Sequence, residues 1–251
     1  MGKLLKYEWR KQRMSRMVIG IALLAGVLLF GGGMLFGNEW MMGISLVILV
    51  VGTPFVLFYI GIESILILNR DLKTKQSYML WMVPKSVWEI LGSKWIAAIL
   101  QMFFIFAVYS VAGLLCFLGT AQYSGNMQSV LGLVQQMAKN ISLDTQAVLA
   151  VIWILLQIFV GWTMVIMTGF LAVILSRTVL LNSKAAGLLS VVFFFVILFV
   201  IERIFGFTAG YISIYIDGNC FYDLWNMVYY ILSCLVLFGI SGWIADKKLS
   251  V

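Results

Sequence analysis

Histidine is missing from the chain altogether, and several chemistries go with it. An HExxH zinc site, a Ser–His protease couple and a His-ligated haem are all beyond these residues. Charge is scarce as well: Asp, Glu, Lys and Arg make up 11%, against about 25% in ordinary soluble domains. Cysteine occurs three times. Cys116 and Cys234 fall in apolar stretches, where a small polarizable side chain is ordinary packing, and Cys220 has no evident partner, so no disulfide framework follows. No GxxxxGK[ST] run is present, which removes the usual phosphate-cradling loop of an ATP site. A proton-coupled carrier usually holds several ionisable groups at mid-membrane depth. Only Glu63 comes near that description. It sits either at the headgroups on a helix that outruns the lipid or as a polar contact facing the bundle. No catalytic constellation emerges, and the chain reads as a non-enzyme with no metal site and no cofactor of its own.

What is abundant is apolar surface. Hydrophobic residues reach 63%, and the uncharged runs are long enough to cross a ~30 Å hydrocarbon core, which takes roughly 20 helical residues. The sequence predicts six transmembrane helices at 17–38, 40–68, 95–120, 146–176, 184–203 and 224–245. Backbone amides in lipid must be satisfied within their own segment, so runs of this length are helices; strands would show short alternating segments. The fold class is all-α, one multi-pass membrane domain over 1–251 with no room for a soluble domain. Pro54 predicts a kink in the second span.

Positive charge orients it. Lys3, Lys6, Arg10, Lys11, Arg13 and Arg16 precede the first span, and Arg70, Lys73, Lys75, Lys85 and Lys94 follow the second. Arg177 and Lys184 follow the fourth, Lys247 and Lys248 the sixth. Of the 17 lysines and arginines only Lys139 and Arg203 fall on the opposite side. Such a split places both termini in the cytosol of a plasma-membrane protein. The net charge of +7 is then an orientation signal, and no nucleic-acid partner is needed to explain it. The opening 1–16 is too basic, and the run after it too long, for a cleavable signal. It reads as an interfacial helix anchored by Leu4, Leu5, Tyr7 and Trp9, with a solvated tail as the alternative.

Segment 69–94, NRDLKTKQSYMLWMVPKSVWEILGSK, is the most telling cytosolic stretch. A plain connector needs neither its two tryptophans nor Tyr78, Leu80, Met82 and Val87 among the lysines. Apolar anchors with a basic rim are what an interface core uses; the alternative is that the aromatics float the loop at the headgroup belt.

The same segment resembles the first cytosolic loop of the membrane-spanning subunits of ABC exporters, in the ABC type 2 permease class. The resemblance lies in Asp71, in Lys73-Thr74-Lys75, in Tyr78-Met79-Leu80, in Pro84-Lys85-Ser86 and in Ile90-Leu91-Gly92-Ser93-Lys94. The glycine that usually follows the acidic residue is replaced by Lys73 to Lys75. The LLKYEWRK opening, the six spans and the terminal ADKKLSV extend the likeness over the whole length, and the compact size is similar to permeases of lantibiotic or bacitracin self-protection. The resemblance implies a coupling helix within Leu72–Val83, with Asp71, Lys73, Thr74, Lys75, Tyr78, Leu80, Trp81 and Pro84 coupling to a separate nucleotide-binding ATPase subunit. That subunit holds ATP and Mg. A second permease copy or a sister permease completes the assembly, and the cargo is an amphipathic peptide, antibiotic or lipid-like molecule. A non-transporting membrane sensor or scaffold that docks another cytosolic partner fits the same features.

Two further readings concern packing. Segment 204–223 is too apolar for a free loop and too interrupted by Gly206, Gly210 and Gly218 for a span. It reads as a re-entrant turn, as in that family, or as a folded outer cap. Met127–Ala138 reads as an amphipathic surface helix. Gly33 and Gly37 stand four apart in the first span and permit close helix approach, either at a seam with a second permease or within one bundle.

Overall fold

The structure, a computed structural model, describes residues 2–73, 86–123, 125, 145–179, 186–209 and 224–249. Among them every regular element is an α-helix: α1 (Gly2–Lys11), α2 (Arg13–Leu35), α3 (Glu39–Lys73), α4 (Val87–Tyr123), α5 (Thr145–Val179), α6 (Ala186–Ala209) and α7 (Leu224–Leu249). Six of these, α2 to α7, are long and apolar enough to cross a membrane. The chain is an all-α, multi-pass membrane protein. The surface helix predicted at Met127–Ala138 and most of the outer segment 204–223 lie outside the described residues.

Helix boundaries differ from the hydropathy boundaries because each has a different cause. Hydropathy falls where the lipid ends, whereas a helix ends where its backbone groups find other partners. α3 therefore carries Asn69, Arg70 and Asp71 on to Lys73, and α4 begins at Val87, well ahead of Trp95. Ser86 starts α4: its hydroxyl accepts from the Glu89 amide at 3.2 Å, and its carbonyl from the Ile90 amide at 3.2 Å. Ser86-x-x-Glu89 is the capping-box spacing. Between α2 and α3 the turn is equally specified. Gly37 takes φ +65°, the Asn38 amide donates to the Gly33 carbonyl at 2.9 Å, and the left-handed residue followed by this bond is a Schellman closure. The Asn38 side chain then accepts from the Trp40 amide at 3.1 Å, capping α3. Pro54 lies inside α3 without ending it.

The helices sort into two compact units, one of Gly2–Ile60 with Ala97–Ala147 and one of Gly61–Ile96 with Val148–Val251. In the first, Phe30, Met42, Leu49 and Cys116 form a buried cluster. Gly33 is in tight contact there, since a Cβ would meet the Met42 backbone nitrogen and the Met41 side chain. The close approach that Gly33 permits is used within the chain, between α2 and α3, and Gly37 serves the turn; neither role needs a second copy. α1 buries Glu8, and the stripe continues through Gln12, Ser15 and Ile19. Tyr7 is exposed and Leu4, Leu5 and Trp9 are half-buried, so the face turned inward is more polar than an apolar-anchor pattern implies. Arg16 holds the bend between α1 and α2 by donating to the Trp9 carbonyl at 2.6 Å while its guanidinium lies over the Trp9 ring.

In the second unit α5 is the central helix. Of its most apolar stretch 56% is buried, against 11% for α6, and Ile166, Met167, Thr168, Phe170, Val173 and Ile174 have almost no exposed surface. Gly61 of α3 faces Ile166, and Gly169 of α5 leaves room only for Ile65. Small residues let helices approach closely where lipid supplies no hydrophobic drive between them.

Candidate functional site: the base of segment 74–86

The helix ends that flank segment 74–86 carry the densest buried charge among the described residues. Lys94 of α4 donates from Nζ to Asp71 Oδ2 of α3 at 2.5 Å, with 3% and 9% of the two side chains exposed. Two residues back on α3, Asn69 Oδ1 accepts from Arg177 of α5, at 2.6 Å from Nη2 and 3.2 Å from Nε. Arg177 is itself 6% exposed. Both interactions are charge-assisted, and the second is a two-pronged contact of the fixed guanidinium fork. Burying these charges is costly unless each has a partner, so the two contacts fix α3, α4 and α5 against one another at the base of the segment.

The opposite flank is fixed by aromatic packing. Trp88, two residues inside α4, lies directly on Gly242 of α7, where a Cβ would collide with its ring. Phe238 of α7 lies under both Trp88 and Trp95, with ring centroids 5.6 and 5.9 Å away. Ile90, Leu91 and Ser93 between them are buried. Trp88 is therefore a bundle anchor that is also 38% exposed. The sequence reading placed it with the loop; a capping box at Ser86 to Glu89 was the signal for the earlier helix start.

The predicted site residues are placed as follows. Asp71 is buried against Lys94, so its role is in the base of the segment. Lys73 closes α3. Thr74, Lys75, Tyr78, Leu80, Trp81 and Pro84 lie outside the described residues. Glu63 is half-buried on α3, on the same helix as Asn69 and Asp71. Among the described residues no group of three or more Cys, Asp or Glu side chains is arranged to hold a metal ion.

Among the described residues, two helices are joined by a buried ion pair and each is fixed to a further helix, on either side of the basic and aromatic sequence 74–85. Neither a protein-family model, nor a curated protein, nor a solved structure matches this chain.

Proposed function

We propose that the chain is the membrane-spanning subunit of an ATP-driven exporter of the ABC type 2 class, working with a separate nucleotide-binding subunit that holds ATP and Mg. The observation that carries this reading is the Asp71–Lys94 pair. Two residues of the resembling pattern, 23 positions apart, meet in a buried contact that closes the base of the segment the resemblance assigns to the coupling helix. A segment that only floated at the headgroups would gain nothing from a buried ion pair beneath it. A lever needs such a fixed base, because force applied to a loose loop is lost in its own bending.

In this reading Tyr78, Leu80 and Trp81 seat in a groove of the ATPase, with Lys73, Thr74 and Lys75 at the rim and Pro84 ending the coupling helix. Closure of the ATPase pair displaces the segment, and the displacement enters α3 and α4 together. A second copy or a sister permease supplies the other half of the pathway. Both termini face the cytosol of the plasma membrane, the stretch 210–223 that follows α6 forms the outer re-entrant segment, since 204–209 continue that helix, and the cargo is amphipathic or lipid-like.

The test is co-purification from the native membrane with a protein bearing GxxxxGK[ST]. Replacing Leu80 and Trp81 by Ser should weaken that association about thirty-fold, since truncating a central anchor costs roughly 2 kcal/mol or more, while membrane insertion is unchanged. Parent and variant co-purifying equally, or a parent that brings down no such protein, refutes the proposal and leaves a scaffold docking some other partner.

A further inference from the structure

A second candidate site lies within the first unit. α1 and α4 enclose a groove of about 570 Å³, lined by Leu5 and Trp9 on α1 and by Leu100, Phe103, Phe104 and Ala107 on α4. Its floor is rigid. Trp9 meets Phe104 edge-on, with centroids 6.1 Å apart, and Arg16 holds the Trp9 carbonyl and ring from behind. Its walls are apolar and open to the surroundings, with Phe103 62% and Leu100 43% exposed. At one edge the lining changes character: Lys6 borders the groove, and Lys3 and Arg10, one turn to either side, are exposed with it. Residues three and four apart share a helix face, so the three cations form one stripe along the rim.

An apolar slot with a cationic rim has two halves that no single soluble ligand class matches well. A molecule with an acyl chain and a phosphate matches both. We propose that the groove binds one anionic glycerophospholipid, its phosphate on Lys6 with Lys3 and Arg10 alongside, and an acyl chain against Leu100, Phe103 and Trp9. The groove belongs to a membrane-spanning chain and sits at the basic end of α2, so its surroundings are the headgroup and upper acyl region of one leaflet. Polybasic stretches beside a span attract anionic lipid at about five-fold in affinity per cation. The stripe therefore sets headgroup preference, and the apolar lining sets chain retention. The inference is independent of the transport reading.

Native mass spectrometry of the full chain in detergent tests it, with added phosphatidylglycerol or phosphatidylcholine of identical acyl chains. The parent should retain one phosphatidylglycerol in clear preference to phosphatidylcholine. K3Q/K6Q/R10Q, a surface change, should lose on the order of a hundred-fold of that preference while its helical circular dichroism stays as in the parent. Phe103→Ala should reduce retention of both lipids and leave the preference intact. Equal binding of the two lipids by the parent, or a preference that survives in K3Q/K6Q/R10Q, overturns the site. So does a face that proves to be occupied by a second copy with no lipid retained.

Discussion

Replacing Asp71 by Asn removes the anion from a pair whose side chains are 3% and 9% exposed, and leaves the Lys94 ammonium without its carboxylate. Breaking a buried pair in this one-sided way typically costs about 3–5 kcal/mol, because the remaining charge stays desolvated. Each ~1.4 kcal/mol is a factor of ten, so the folded-to-unfolded equilibrium constant should fall by about two to three and a half powers of ten. Replacing both partners by apolar groups of similar size, Asp71→Leu with Lys94→Met, removes the buried charges together and should cost little or even stabilise. With Asp71→Leu and Lys94→Met also made singly, this double forms a cycle with a large coupling energy, as expected for residues in direct contact. Titrating the purified chain in mixed micelles with dodecyl sulfate, and following helix loss by circular dichroism, measures all four states. Asp71→Asn costing less than about 1 kcal/mol would refute the reasoning, as would a double variant as unstable as the sum of the singles. Either result would mean that the pair is solvated and closes nothing.

Two further outcomes rest on different features. Gly242→Val should displace the Trp88 ring that occupies the Cβ position and cost about 1–3 kcal/mol by overpacking; the same titration checks it, and combining it with Trp88→Ala should cost less than the sum of the two. In a cysteine-free background, cysteine placed at Ser124 or Asp217 should label from outside intact cells, and at Lys75 or Lys248 only after permeabilisation. External labelling at Lys75 would invalidate the charge-derived orientation.

The number of spans was legible in the sequence because lipid imposes it: a helix must be about 20 apolar residues long to cross, and six runs meet that need. The ends of those helices were not legible from hydropathy. α3 carries Asn69, Arg70 and Asp71 beyond its apolar run, and what stops or starts a helix here is local chemistry, as at Gly37-Asn38 and Ser86. Asp71 and Lys94 were both visible as members of a pattern, but their meeting was not, because a pair 23 residues apart requires α3 and α4 to lie side by side. Asn69 and Arg177 are 108 positions apart, and nothing in either neighbourhood names the other. Gly242 is the plainest case. A glycine in an apolar helix carries no signal of its own until the ring that covers it is placed. From α1 into α2 the signal was present in another form: Glu8, Gln12 and Ser15 recur at helical spacing, a polar stripe that marks the buried face.

The contacts at the base of 74–86 also form a single mechanical path. α3 is fixed to α4 by Asp71–Lys94 and to α5 by Asn69–Arg177. Farther along α3, Gly61 and Ile65 hold it against Ile166 and Gly169 of α5. α4 is fixed to α7 through Trp88, Gly242 and Phe238. Packed interiors resist compression and transmit strain, and α5 is the helix in which that packing is densest, with Phe170, Ile166 and Met167 fully enclosed. A displacement of the helix ends at Lys73 and Ser86 would be passed to α5 and α7 through these contacts. α6, with only 11% of its apolar stretch buried, is tied to α7, where the Tyr229 hydroxyl donates to the Ile201 carbonyl at 2.6 Å and Phe205 packs on Tyr229 and Tyr230. Perturbations at Asp71, Lys94 and Gly242 should therefore be felt in α5 and α7 first, and in α6 through its contacts with α7.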